Sequence, residues 1–129
     1  MMGGNSNWRG PIWVPLNYLI IDALHKYSQY YGDDYEVEYP TDSGKITTIA
    51  NAANEISKRL VSIFEMDKEG KRPALQINEQ YDKNEHFRGQ HLFFEYFNGD
   101  NGEGCGASHQ TGWTGLVADL ITEISEFGK

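Results

Sequence analysis

Residues 91–114, HLFFEYFNGDNGEGCGASHQTGWT, hold the side chains best suited to chemistry. Phe93, Phe94, Tyr96 and Phe97 enclose one carboxylate, Glu95, and a loop with glycines at 99, 102, 104 and 106 follows it. Ser108, His109 and Gln110 then lead into a helix start. A carboxylate among aromatic rings beside a Gly-rich loop suits an enzyme that binds sugar. The same residues also fit an ordinary buried glutamate next to a turn. Glycoside hydrolysis commonly uses two carboxylates, one as acid and one as base or nucleophile, with aromatic platforms for the sugar. Glu95 supplies one of them. Trp8, Arg9 and Trp13 offer a stacking surface and a charged clamp for sugar hydroxyls, or else Trp8 and Trp13 anchor the entry of a helix.

Other constellations are weaker. Ser108 and His109 are adjacent, a spacing that rarely brings a nucleophile and its base together, and no GxSxG elbow is present. His109 and Gln110 read better as hydrogen-bonding groups for a ligand or for the loop. Residues 98–103, NGDNGE, lack the alternating acids and the distal glutamate of a calcium loop and read as a turn. The four histidines and the single Cys105 show no zinc spacing, so no metal or other cofactor is expected. Cys105 has no base beside it in sequence and is read as structural.

The elements that must position these residues follow from periodicity. Residues 15–31 carry apolar side chains at helical spacing, with Pro15 able to sit in the first turn and Gly32 as a stop. Residues 18–21 are apolar on nearly every side, which predicts burial on more than one face. Residues 33–46 form a polar connection, with a short extended segment possible at 35–39 and a turn at 41–44. Thr47 or Thr48 caps a second helix, whose apolar stripe is Ile49, Ala52, Ala53, Ile56, Leu60, Ile63 and Phe64, with Asn54, Lys58 and Glu65 opposite. Residues 71–88 show no period and read as a surface connection. Residues 112–127 form a third helix, capped by Thr111 or Thr114, which buries Leu116, Val117, Leu120, Ile121, Ile124 and Phe127.

Composition narrows the rest. At 129 residues and 39% hydrophobic content, the chain suffices for one domain with a core. A net charge of −8 argues against nucleic acid or an anionic membrane as partner, and no stretch is long and apolar enough to span a bilayer. One cysteine excludes an internal disulfide. A cytoplasmic location is the expectation, with any targeting signal upstream. Three helices joined by long loops imply that the loops serve a site or rest on elements outside this chain.

Three strings make the pattern familiar. NSNWRGPIWVPLNYLIIDAL, FFEYFNGDNGEG and GASHQTGWTGLVADLI resemble, in order, the C-terminal catalytic region of glycoside hydrolase family 63, the processing α-glucosidases and their bacterial relatives. The resemblance implies an all-α fold in which residues 1–129 are the last three helices of an (α/α)6 barrel. It implies an inverting α-glucosidase with an aspartate acid and a glutamate base. Glu95 falls where the family's base lies. That segment also resembles the Glu-Lys-Tyr signature of trehalases, from which Tyr96 and Phe97 depart. Trp8, Arg9 and Trp13 fall in one pocket-lining block, and His109, Gln110 and Trp113 in another. The family's acid lies upstream of WRGPIW, so the partners implied are a carbohydrate substrate and the upstream barrel segment. Alone, the chain is expected to be inactive, and marginal or oligomeric. The alternative is a non-catalytic helical fragment that binds carbohydrate or assembles with other subunits.

Overall fold

The structure, a computed structural model, describes residues 10–78, 80–87 and 89–127. It is mainly helical. Helix α1 spans Val14–Tyr31, with Pro15 in its first turn, where a missing N–H costs little. No side chain caps it; instead the Trp13 carbonyl accepts from both the backbone N–H (3.1 Å) and the Nδ2 of Asn17 (2.9 Å). Gly32 closes it at φ +73°, donating its N–H to the Ser28 carbonyl. Strands β1 (Glu36–Glu38) and β2 (Ile46–Thr48) pair antiparallel, with Val37 opposite Thr47. Thr48 then caps α2 (Ile49–Ser62) as expected, its Oγ1 accepting from the Asn51 N–H at 3.2 Å.

Helix α2 packs against α1 on one side and against α5 (Val117–Glu126) on the other. Val14 and Ile21 of α1, Ala53, Leu60 and Val61 of α2, and Val117 and Leu120 of α5 supply the interhelical core. Asn54, expected on the solvent side of α2, is instead 7% exposed. The stretch after α2 departs further from expectation. A 3-10 turn, Pro73–Leu75, buries Ala74 and Leu75 in the core, and Arg72 before it is buried with a guanidinium N–H on the Gln90 carbonyl. The short α3 (Gln80–Lys83) follows, with Gln80 and Lys83 exposed and Tyr81 packed against the core. Because only two or three apolar residues are anchored here, no period betrays them in sequence.

The segment carrying Glu95 crosses this core. Strand β3 (Tyr96–Phe97) pairs antiparallel with β4 (Gly104–Cys105), and the Ile12 backbone adds a bridge to Phe97 through bonds of 2.7 and 2.9 Å. Gly99 permits this ladder, since a Cβ there would collide with the Gly10 carbonyl. Phe97 is fully buried, with its ring edge-on to Phe64 (5.3 Å) and Phe94 (6.4 Å). The all-α expectation therefore needs amending by two small sheets. The third helix is also interrupted: α4 is only Thr111–Thr114, and α5 begins at Val117. Neither Thr111 nor Thr114 caps it, and Ile121 and Phe127 face outward instead of into the core.

Helix α1 is apolar on more than one face, yet among the described residues only Val14 and Ile21 are fully covered. Leu19 is 62% exposed and Ile20 52%. On the covered side, the Tyr18 hydroxyl donates to the Asp119 carboxylate of α5. That bond, followed by burial and the negative charges of Asp119, Glu123 and Asp22, pushes the phenol up to about 12. Its folded value lies above the ordinary value near 10, so the bond's contribution is complete below pH 10 and is lost as pH rises through about 12. Tyr18→Phe is expected to remove a titration step near pH 12, read by tyrosinate absorbance, and to reduce stability below pH 10 but not above 12. An unchanged high-pH titration in the variant would refute the assignment.

Candidate active site

The residues flanking Glu95 are fastened by main chain and by two side chains of α4. The Phe93 carbonyl accepts the Gln110 N–H at 2.7 Å, the Phe94 carbonyl accepts the Thr114 hydroxyl, and the Glu95 carbonyl accepts the Trp113 indole N–H at 3.0 Å. Three successive carbonyls are thus held by three residues of the HQTGWT string. The Glu95 N–H is used as well, donating to the Ala107 carbonyl at 2.8 Å. Thr114, the last residue of α4, is wholly buried and turns its hydroxyl toward the Phe94 carbonyl.

The Glu95 side chain is half-buried. Its Oε2 accepts the Ala107 N–H at 3.3 Å, and among the described residues Oε1 accepts no hydrogen bond. One oxygen is held by a backbone N–H, and the other has no hydrogen-bond partner among the described residues. The four rings expected to enclose Glu95 are directed elsewhere. Phe94 and Phe97 face the helical core, whereas Tyr96 stacks on Trp13 with centroids 4.7 Å apart and planes at 27°. Trp113 meets Trp13 edge-on at 6.0 Å and 75°. Trp13, Tyr96 and Trp113 form one aromatic wall bonded to the Glu95 backbone through the Trp113 indole.

Of the residues singled out from sequence, the structure brings Trp13, Glu95 and Trp113 together. Trp13 is 2% exposed and immediately precedes α1, so it also anchors the entry of that helix. His109 and Gln110 lie at the surface, two and three residues past Ala107, with the His109 backbone bridged to Phe93. Trp8 and Arg9 fall outside the described residues. Residues 98–103 form the hairpin turn between β3 and β4, in which Asn98 and Asn101 side chains accept the N–H groups of Asp100 (2.9 Å) and Glu103 (3.0 Å). Cys105 is half-buried; burial and the neighbouring Glu103 push its thiol up, which disfavours the nucleophilic thiolate. No group of side chains suited to holding a metal occurs among the described residues. Sequence reasoning missed Thr114 as a clamp; a threonine two residues beyond the glycine of QTGWT signals nothing until the fold brings Phe94 to it.

Residues 4–114 match the mannosylglycerate hydrolase MGH1-like glycoside hydrolase domain. The chain belongs to this glycoside hydrolase family, as the resemblance to family 63 implies. An uncharacterised protein of Saccharomyces cerevisiae is 46% identical over 127 residues, covering 96% of this chain and 12% of that protein. The mannosyl-oligosaccharide glucosidase of S. cerevisiae is 31% identical over 114 residues, 88% of this chain and 11% of the enzyme. The alpha-glucosidase 2 of Arabidopsis thaliana is 25% identical over 116 residues, 90% of this chain and 11% of that protein. The chain spans 11–12% of the length of these relatives. No solved structure matches it. No helix among the described residues is long and apolar enough to cross a membrane.

Proposed function

We propose that this chain is the part of an inverting α-glycosidase that carries its general base, Glu95, and that the complete enzyme hydrolyses α-glucosidic bonds of an oligosaccharide or small glucoside. The observation that carries the reading is the held carboxylate: Oε2 is tied to the Ala107 N–H, Oε1 accepts no hydrogen bond among the described residues, and the main chain on both sides is clamped. In an inverting reaction, such a base takes a proton from water as the water oxygen attacks the anomeric carbon. A carboxylic acid roughly 6.5–9.5 Å away protonates the departing glycosidic oxygen. No aspartate of this chain matches the family's acid motif, so the acid is assigned to another part of the polypeptide.

The substrate class draws on the relatives named as glucosidases and on the aromatic wall. Trp13 and Trp113 shape that wall, and Trp8, Arg9, His109 and Gln110 are assigned contacts with sugar hydroxyls. The exposed face of α1 favours assembly of the three long helices with the rest of an (α/α)6 barrel, whose other helices would cover Leu19 and Ile20. Without that remainder, the chain lacks the acid and is inactive. Proton NMR of the first sugar released from an α-glucoside tests the reaction type. The β anomer is expected, whereas initial release of the α anomer would mean a double displacement and would remove Glu95 from the role of base.

A further inference from the structure

We propose that Gly106 is a positioning residue for this hydrolysis: its bare Cα leaves the space in which the Glu95 carboxylate lies, so that the Ala107 N–H holds Oε2 and Oε1 is aimed at the water. The inference rests on Glu95 acting as the base. Gly106 has φ +72°, and a Cβ built there would stand 2.5 Å from Glu95 Oε2, 2.9 Å from Glu95 Cβ and 3.0 Å from Tyr96 Cε1. Something must yield to such a methyl. The Glu95 main chain cannot retreat easily, being bonded to Ala107 at 2.8 Å and to the Trp113 indole at 3.0 Å. The Tyr96 ring is stacked on Trp13. The carboxylate, at the end of a flexible side chain, swings away from the 2.5 Å contact and leaves the Ala107 N–H, while the 2.9 Å contact with Glu95 Cβ adds a small shift of the loop backbone. Gly99 contrasts with this, because its phantom Cβ strikes only the Gly10 backbone and concerns folding alone.

Gly106→Ala also introduces left-handed strain, and Gly44 separates the two effects. It has φ +71°, nothing within 4 Å of a built Cβ, and a place in the β1–β2 turn. In the complete enzyme, Gly106→Ala is expected to lower kcat on the order of 10²-fold with KM little changed, as for a misplaced catalytic group, while Gly44→Ala keeps the wild-type rate. Glu95→Asp supplies the readout that a merely structural defect would not move. If Gly106 acts through the carboxylate, the double variant Glu95→Asp/Gly106→Ala is no slower than the slower single variant. Multiplied losses in the double variant, or equal losses in Gly44→Ala and Gly106→Ala, would overturn the proposal. Should Gly106→Ala not fold, Trp113→Phe retains an aromatic ring, though a smaller one, and frees the Glu95 carbonyl by removing the indole N–H. A fall in kcat that is likewise non-additive with Glu95→Asp supports the same device, and independent losses refute it. Abolished turnover in Glu95→Gln beside a wild-type rate in Gly106→Ala would sink the positioning role alone; wild-type rates in both would sink the base assignment with it.

Discussion

Glu95→Gln in the complete enzyme is expected to lower kcat by on the order of 10²–10⁴-fold, the usual contribution of one general acid or base, and to leave substrate binding nearly intact. The substitution changes almost nothing else. Glutamine has the shape of glutamate, and its amide oxygen can still accept the Ala107 N–H that now reaches Oε2. The carbonyl clamps of Gln110, Thr114 and Trp113 act on the main chain and are indifferent to the side chain. What is lost is a proton acceptor, because an amide turns an N–H toward the position that Oε1 occupies. Steady-state rates together with direct titration of a substrate into the inert variant separate the two properties. A wild-type kcat would remove Glu95 from the chemistry.

The isolated 129-residue chain is expected to self-associate. Leu16, Leu19 and Ile20 of α1 are 43%, 62% and 52% exposed, and Tyr27 and Tyr30 extend the apolar strip along the same helix at 55% and 83%. Covering a leucine or isoleucine fully is worth about 1.5–3 kcal/mol, so burying the exposed halves of three such residues on each of two copies favours association by several kcal/mol. A contiguous apolar strip of this kind marks an interaction surface. Sedimentation equilibrium should show species heavier than 14.7 kDa, and Leu19→Lys/Ile20→Lys should shift the distribution to monomer without loss of helix signal. A monomeric wild-type chain with one cooperative unfolding transition would contradict this.

How much of this was legible in the sequence differs by element. Helices α1 and α2 were bounded by chemistry that acts locally: Pro15 in a first turn, Gly32 as a stop and Thr48 as a cap. Glu95 and its tryptophans stood out because their strings are long and resemble one family, and the match over residues 4–114 shows the chain's membership of that family. The small sheet β3–β4 was not legible, since two-residue strands have no period to read. Nor was the break before α5. The Thr114 hydroxyl leaves the helix for the Phe94 carbonyl, a partner 20 residues away, and only tertiary structure brings the two together. For α1 the sequence correctly showed apolar residues on several sides, yet Leu19 and Ile20 remain more than half exposed, since the described residues cover them only in part. Gly106 looked like one loop glycine among several, and only the fold reveals that a methyl there would meet a carboxylate.

The most direct test of the central claim, that this chain supplies the base of a glycosidase, is a complementation assay. The 129-residue chain and a separately produced remainder of the barrel are each assayed on an α-glucoside, then mixed and assayed again, with wild-type and Glu95→Gln versions of the chain. Hydrolysis is predicted only in the mixture that contains the wild-type chain. Hydrolysis by this chain alone, or equal rates from the wild-type and Glu95→Gln mixtures, would contradict the account.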